Sequence, residues 1–213
     1  MSARGAPAVA LAPRLSQAER SARSDRRIVR AAIRLIARQG YSKTTLAQIG
    51  REAGCSGGLV SHRFGSKEGL LRALVDHIRI RFLEDQLEPS MAGRSGLDAL
   101  CAMLDTYLAE LTRREERMRA LYVLMGESWG PVPAVRAAFA ELDEKFRASV
   151  AERIEEGRRL GEIRRDVKPP VEAAAFVAML RGTAMQWLTA HGSFDLDGAR
   201  ESLKAALRGR LAP

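Results

Sequence analysis

The sequence predicts an all-helical protein, with a small N-terminal domain that carries a helix-turn-helix and a larger C-terminal domain built from helices. Two observations predict this class. Apolar residues recur every three or four positions along most of the 213 residues, and no strand-like alternation of useful length occurs. Ala, Leu, Arg and Glu are abundant whereas aromatic residues make up only 5%, a composition that favours helices over strands.

The first segment, residues 1–24, is rich in Ala, Pro, Ser and Arg and has no clear period, which predicts a flexible basic arm. Either its arginines reach nucleic acid or the arm has no role. A first helix is predicted from Asp25 to Gln39, because Ser24 is a suitable N-cap and Gly40 a suitable stop. This helix opens the first predicted domain, residues 25–82.

The stretch from residue 44 to residue 67 predicts two short helices joined by a tight turn. Thr45 and Gln48 have the spacing of a capping box at the start of the first helix. Gly54 is placed to end that helix, and Ser56 to cap the second. A helix, a glycine turn and a second capped helix form a helix-turn-helix, whose second helix lies in the DNA major groove.

A long helix is predicted to start at Lys67, with Ser66 as its cap, and to end at Pro89. The rest of the chain, residues 83–213, is predicted to be a second, larger domain that consists of helices. Its helices are expected at about 97–112, 115–128, 134–160, 171–191 and 196–210, with breaks at 130–133 and 191–193.

Charge is distributed unevenly along the chain. Residues 1–82 carry 16 Lys and Arg against 5 Asp and Glu, whereas residues 83–213 carry 19 against 21. A basic N-terminal domain beside a near-neutral remainder suits a protein that binds phosphate at one end. Together with the helix-turn-helix, this pattern predicts binding to double-stranded DNA rather than a merely solvated basic surface.

Over about residues 26–82 the sequence resembles the N-terminal domain of TetR-family transcriptional regulators. The resemblance is carried by Thr44, Thr45, Ile49, Ala53, Gly54, Ser56, Gly58, Phe64, Lys67, Glu68, Leu70 and Leu71. The run Ser61-His62-x-Phe64 resembles the branch that contains BetI-type repressors. Four positions depart from the commonest family pattern and leave the operator sequence open: Gly50, Cys55, Gly57 and Ser61.

The resemblance and the helix-turn-helix geometry together predict which residues contact DNA. They lie on the second short helix and at the starts of its neighbours: Thr44, Thr45, Ser56, Gly57, Gly58, Ser61, His62, Arg63 and Lys67. Arg63 is expected to read a base edge, while Thr44, Thr45 and Lys67 are expected to hold phosphates. Gly57 and Gly58 are expected to let the backbone approach DNA closely, with a frayed helix start as the alternative.

The resemblance also implies a small-molecule pocket in the C-terminal domain. The candidate residues are aromatic, sulfur and hydroxyl side chains: Tyr107, Tyr122, Met125, Trp129, Phe146, Met179 and Thr183. The alternative is that this set is plain core. Because aromatic faces attract cations, the unknown effector is expected to be apolar or weakly cationic.

The last two helices are predicted to form a homodimer interface. Each carries apolar residues at helical spacing: Phe176, Leu180, Trp187, Leu203 and Leu207. Two such helices from each subunit would close a symmetric four-helix bundle.

The sequence gives no support for an enzyme, a metalloprotein, a membrane protein or a secreted protein. Neither a cofactor nor a metal site is expected, because no catalytic constellation, phosphate-binding loop or metal-ligand spacing occurs. No apolar run is long enough to span a membrane and no signal-peptide order is present, which predicts a cytoplasmic protein.

We therefore expect a ligand-responsive repressor that binds a palindromic operator as a homodimer and is released by an effector. One alternative is a non-sensing architectural or division-site DNA-binding protein on the same fold. The other is an enzyme with a helix-turn-helix appendage, which lacks catalytic residues.

Overall fold

A computed structural model describes residues 16–130, 133–190 and 193–213 and confirms the all-helical class. Within these residues there is no β-strand, and no helix is both long and apolar enough to cross a membrane. The elements are α1 (Gln17–Gln39), α2 (Leu46–Ala53), α3 (Gly57–Phe64), α4 (Lys67–Arg79), a π-helical segment (Ile80–Leu87), α5 (Glu88–Met91), α6 (Gly96–Arg113), α7 (Glu115–Ser128), α8 (Pro133–Leu160), α9 (Pro169–Thr189) and α10 (Leu196–Leu211). The predicted breaks at 130–133 and 191–193 lie partly outside the described residues.

Helix α1 begins two turns earlier than predicted. Ser16 accepts a hydrogen bond from the Glu19 N–H (3.2 Å), and Glu19 accepts one from the Ser16 N–H (2.7 Å). This reciprocal capping box starts the helix, so the prediction of a flexible arm is wrong for residues 17–24. Residues 1–15 of the predicted arm lie outside the described part of the chain. Along its length α1 packs against α2 and α4, and also against α7 of the C-terminal domain.

The helix-turn-helix forms at the residues that the sequence indicated. Thr45 accepts a hydrogen bond from the Gln48 N–H (3.2 Å), and the Ser56 hydroxyl caps α3 by accepting one from the Leu59 N–H (3.1 Å). Gly54 ends α2 in the left-handed conformation (φ 69°). Apolar side chains of α1 to α4 meet in one core that holds α3 in place: Ile28, Ala32, Ile36, Ile49, Val60, Leu71 and Leu74.

Helix α4 continues into the C-terminal domain without a break. The chain passes through the π-helical segment into α5 and ends at Met91, not at Pro89 as predicted. Pro89 is tolerated because it lies in the first turn of α5, and the preceding Glu88 N–H bonds to the Leu83 carbonyl in the π pattern. The predicted domain boundary at residues 82 and 83 therefore falls inside a continuous helical rod.

The C-terminal domain is organised around α6, which packs against α7, α8, α9 and α10. The leucines that form its buried stripe are 2% exposed or less: Leu100, Leu104, Leu108 and Leu111. Helices α6 and α8 approach closely at a pair of glycines, since a Cβ on Gly157 would lie 2.8 Å from the Gly96 Cα. Helices α7, α8 and α9 pack against one another on one side of this core.

Three of the five side chains predicted for the dimer interface lie inside the protomer instead. Phe176, Leu180 and Leu207 are at most 4% exposed, while Trp187 and Leu203 are half-buried against the same core. Helices α9 and α10 pack onto α6, so the three buried side chains are not available to a second copy, whereas an interface role for Trp187 and Leu203 stays a prediction. Periodicity identifies a buried face but cannot say which chain buries it.

Candidate nucleic-acid interface and effector cavity

The outer face of α3 is polar and exposed. Ser61 and His62 are exposed, and the exposed Gly58 lies one turn earlier on the same face. Val60 on the opposite face is completely buried, so the helix cannot rotate to hide these side chains. A short capped helix with a polar outer face has the form that enters the major groove in helix-turn-helix proteins.

Arg63 points away from this face. Its guanidinium donates a hydrogen bond to the Ser21 hydroxyl and lies 3.7 Å from the Asp25 carboxylate, both on α1. In this position the Arg63 side chain ties α3 to α1, a contact that it would have to leave to read a base, so its base-reading role stays a prediction. Ser61 and His62 are the exposed candidates for base contacts.

Gly57 serves the contact between the two helices of the helix-turn-helix. A Cβ at Gly57 would lie 2.9 Å from the Ala47 Cα, and a Cβ at Gly50 would lie 2.7 Å from the Gly57 nitrogen. Helices α2 and α3 thus cross at backbone distance, which accounts for the glycine at residue 57 without any contact to DNA, and close approach of Gly57 to DNA stays a prediction. For Gly58, whose nearest neighbour would be the Ser56 hydroxyl at 3.8 Å, close approach to DNA stays a prediction.

The three residues predicted to hold phosphates differ in accessibility. Thr44 is 1% exposed and its hydroxyl donates a hydrogen bond to the Gly40 carbonyl (2.6 Å), so its side chain cannot reach a phosphate. Thr45 is exposed at the start of α2 and stays a candidate. Lys67 is half-buried and donates to the Ser42 carbonyl (3.1 Å), a bond that it would have to leave to reach DNA.

A carboxylate from the C-terminal domain holds the turn between α1 and α2. Glu127, in the last turn of α7, accepts hydrogen bonds from the Ser42 N–H (3.0 Å) and the Ser42 hydroxyl (2.9 Å). Gly40 (φ 84°) makes room for it, because a Cβ there would overlap the Glu127 carboxylate. We call this contact the Glu127–Ser42 joint. No pattern in the sequence indicates it, because its partners are 85 positions apart.

The charges around this joint also act on Tyr41 and Lys67. Burial, together with the nearby Glu68 and Glu127, raises the pKa of Tyr41 to about 12, so the phenol stays neutral. Burial lowers the pKa of Lys67, although the same two carboxylates oppose that effect. The Lys67 ammonium lies 4.3 Å from the centre of the Tyr41 ring, a cation–π contact.

A cavity of about 1050 Å³ opens between α7, α8 and α9. Three of the predicted pocket residues line it, namely Tyr122, Met125 and Trp129. Trp129 is 77% exposed and Met185, also on the wall, is 53% exposed. Large apolar side chains exposed at the edge of a cavity favour a bound ligand or partner.

The other four predicted pocket residues do not line this cavity. Tyr107 and Phe146 are buried with their rings stacked at 6.1 Å, and Met179 and Thr183 are half-buried elsewhere on α9. The Tyr107 hydroxyl is nevertheless hydrogen-bonded to the Tyr122 hydroxyl at the wall (2.8 Å). Burial raises the pKa of both phenols, so the pair is neutral.

Positive charge predominates on the cavity wall. Its charged residues are four arginines and one aspartate: Arg119, Arg136, Arg147, Arg181 and Asp143. Arg181 donates hydrogen bonds to both carboxylate oxygens of Asp143. This charge does not favour the weakly cationic effector that the sequence suggested.

A capped helix-turn-helix on a basic domain, joined by a helical rod to a second helical domain, defines the class of helix-turn-helix transcriptional regulators. Two family models identify the family within this class. The model for "Bacterial regulatory proteins, tetR family" matches residues 28–74, and that for "BetI-type transcriptional repressor, C-terminal" matches residues 97–212, more than half of the chain. The chain belongs to the TetR family, which confirms the resemblance seen in the sequence. The members of this family are regulators rather than enzymes.

Individual relatives agree with this assignment. The HTH-type transcriptional regulator BetI of Burkholderia thailandensis is 45% identical over 51 residues, which are 24% of this chain and only 26% of that protein. A TetR-family regulator from Rhodococcus sp. superposes with a TM-score of 0.74 at 25% identity, covering 89% of this chain and all of its own. A transcriptional regulator from Saccharomonospora viridis in complex with choline gives 0.77 at 21% identity, covering 90% and 99%, and shows a shared fold alone.

Proposed function

We propose that this protein is a repressor that binds a palindromic operator as a homodimer and is released by a small-molecule effector. The observation that carries the proposal is the exposed Ser61–His62 face of α3, held on a basic domain by capped helices. Membership of the TetR family supports DNA binding by this face. The cavity between α7, α8 and α9 supports a response to a ligand.

Homodimerisation is proposed through the outer face of α9, opposite the stripe that the sequence suggested. Val171 (57% exposed) and Met185 (53% exposed) lie at the two ends of a stripe that also contains Ala174, Ala178 and Gly182. All of these residues except Val171 also form the α9 wall of the cavity, so a second copy on this stripe would cover the open side of the cavity and leave the effector between α7, α8 and α9. An exposed apolar stripe favours a helical partner. The same stripe on a second copy gives a two-fold interface and the two recognition helices that a palindrome needs.

A charge in the middle of this stripe tests the interface. We expect Ala178→Arg to elute as a monomer in size-exclusion chromatography with light scattering. Ala92→Arg, at an exposed position between α5 and α6, is the matched control and should stay dimeric. A dimeric Ala178→Arg protein would remove this interface from consideration.

Helix α7 supplies a route from the cavity to the DNA-binding domain. Met125 and Trp129 line the cavity, and Glu127 between them binds Ser42 in the turn before α2. A ligand that displaces the last turn of α7 therefore also displaces the turn on which the helix-turn-helix stands. Such a link gives the coupling free energy that effector control requires.

Selection from a random pool of double-stranded DNA with the full-length protein tests the DNA-binding proposal. We expect a palindrome with half-sites in successive major grooves. Ser61→Ala and His62→Ala should each cost about 1–3 kcal/mol for a lost base contact and relax the preference at particular base pairs. Ser193→Ala, an exposed serine distant in sequence from α3, is the control. Failure to enrich any sequence, or equal losses on selected and scrambled DNA, would refute the assignment.

A screen for compounds that change operator affinity separates this proposal from a non-sensing architectural protein. The architectural alternative uses the same face of α3 but has no use for the cavity. If no compound bound in the cavity alters operator affinity, the effector part of the proposal fails and DNA binding stands.

A further inference from the structure

The charge on the cavity wall identifies a class of ligand. We propose that the cavity between α7, α8 and α9 binds an organic anion with a carboxylate head and an apolar body, such as a medium-chain fatty acid or an arene carboxylic acid, rather than a quaternary ammonium compound. This inference rests on the proposed function, because it names the chemistry of the proposed effector.

The carboxylate on the described wall is already neutralised. Asp143 uses both of its oxygens to accept hydrogen bonds from Arg181, one of them at 2.7 Å, and Arg147 lies 4.0 Å away. A cationic ligand would therefore have to displace an arginine before it found a negative partner. Tyr122 offers no charge either, since its neutral hydroxyl is bonded to Tyr107 (2.8 Å) and to the Arg181 carbonyl (3.3 Å).

Two arginines on the wall offer positive charge that is not balanced. Arg136 donates to the main-chain carbonyls of Ser128 (3.3 Å) and Gly130 (3.4 Å), and no carboxylate of the described residues lies within ion-pair distance of it. It stands in the first turn of α8, where the free backbone N–H groups add positive potential. Arg147 is left with the carboxylate that Arg181 already occupies. Arg119, in contrast, has Glu115 as a partner (2.6 Å).

The remaining wall suits an apolar body placed next to this charge. The aliphatic side chains Val123, Val177 and Leu188 line the cavity. Arg136 bonds the main chain on both sides of Trp129, which sets a guanidinium beside an indole that is 77% exposed. A carboxylate at Arg136 with an apolar chain across the wall would satisfy the arginine and remove the apolar surface from water.

Isothermal titration of the full-length protein with chain-matched probes tests the inference. Octanoate, 1-octanol and octyltrimethylammonium share one alkyl chain and differ in the charge of the head, and choline supplies the head of the cationic class alone. We expect octanoate to bind at least about tenfold more tightly than octyltrimethylammonium, a difference of about 1.4 kcal/mol. Titration with 2-naphthoate then distinguishes an arene acid from an acyl chain.

Charge-removing variants place the binding in this cavity. Arg136→Gln combined with Arg147→Gln should weaken octanoate about tenfold or more and leave 1-octanol within about twofold, because only the acid loses a counter-charge. Arg159→Gln combined with Arg165→Gln, at exposed positions outside the cavity, should leave octanoate unchanged. The inference is overturned if either quaternary ammonium binds as tightly as octanoate, if the cavity variant keeps its octanoate affinity, or if octanoate does not bind.

Operator affinity, measured in parallel by fluorescence anisotropy, distinguishes failure of the proposed ligand class from failure of the proposed effector control. Binding of octanoate without a change in operator affinity would support the ligand class and refute effector control. Release of the operator by a quaternary ammonium compound would refute the ligand class and support effector control.

Discussion

Removal of the Glu127–Ser42 joint should loosen the turn between α1 and α2 by an amount that follows from its contacts. The carboxylate accepts two hydrogen bonds from Ser42, at 3.0 Å from the N–H and 2.9 Å from the hydroxyl. Hydrogen bonds to a charged acceptor contribute about 1.5–3 kcal/mol each when they are shielded from water. Because Ser42 is exposed, we expect about 1–2 kcal/mol for the two together.

Glu127→Ala should therefore lower the free energy of unfolding by about 1–2 kcal/mol, and Ser42→Ala by about half as much, because its N–H stays bonded. The double variant should lose little more than Glu127→Ala alone. Urea unfolding of all three variants should give a coupling energy of about 0.5–1 kcal/mol. Hydrogen exchange at the Ser42 amide should become faster in Glu127→Ala. The control is Glu116→Ala, at an exposed site on the first turn of α7.

The same change should weaken communication between the cavity and DNA. A compound that lowers the operator affinity of the wild-type protein should do so about 5- to 30-fold less in Glu127→Ala, the factor that 1–2 kcal/mol represents. Fluorescence anisotropy with labelled operator measures this directly. Strictly additive losses in the cycle, together with an unchanged effector response, would show that the joint carries no coupling.

Three further outcomes are expected. Arg63→Ala should lower the free energy of unfolding by less than about 1 kcal/mol, through loss of its contacts with α1, and leave the selected DNA sequence unchanged; an altered base preference would identify it as a base contact. Gly157→Ala should cost about 1–3 kcal/mol in urea unfolding because its Cβ would meet α6, whereas Gly126→Ala, a helical site with open space, should gain up to about 1 kcal/mol; equal effects would contradict the close crossing. Burial and neighbouring arginines lower the pKa of His77 from its ordinary 6.5, so the folded protein binds fewer protons than the unfolded chain and loses stability as the pH falls through this value. Between about pH 7 and about pH 5, the melting temperature of His77→Gln should fall less than that of the wild-type protein.

The features that could be predicted from the sequence are those set by short-range chemistry. Thr45 and Ser56 cap helices because a side-chain oxygen reaches an N–H two or three residues on, and Gly54 ends a helix because of its own backbone freedom. The same chemistry was present at Ser16 and Glu19, but the Ala- and Pro-rich composition around that capping box suggested an arm instead. In this chain, therefore, the capping residues predict where a helix starts more accurately than the local amino-acid composition does.

Contacts between distant segments could not be predicted in this way. Arg63 has the right type and neighbourhood for a base contact, yet its partners lie on α1, about 40 positions earlier. The apolar period of α9 predicts a buried face at Phe176 and Leu180, which the structure confirms, but a helical stripe has the same period whether its own chain or a second copy covers it. The positive charge of the cavity likewise depends on arginines from three helices, which come together only in the fold.

The uninterrupted passage from α4 through the π-helical segment into α5 has a consequence for how the proposed dimer would search DNA. A flexible tether would let the second recognition helix sample many positions, at an effective concentration set by chain entropy. A continuous helical rod would instead hold the second recognition helix at one distance and one rotation relative to the first recognition helix. Insertion of a single base pair between half-sites moves the second one by about 3.4 Å along the axis and also rotates it about the duplex. The helical rod would therefore make the spacing of the operator as much a recognised feature as its bases.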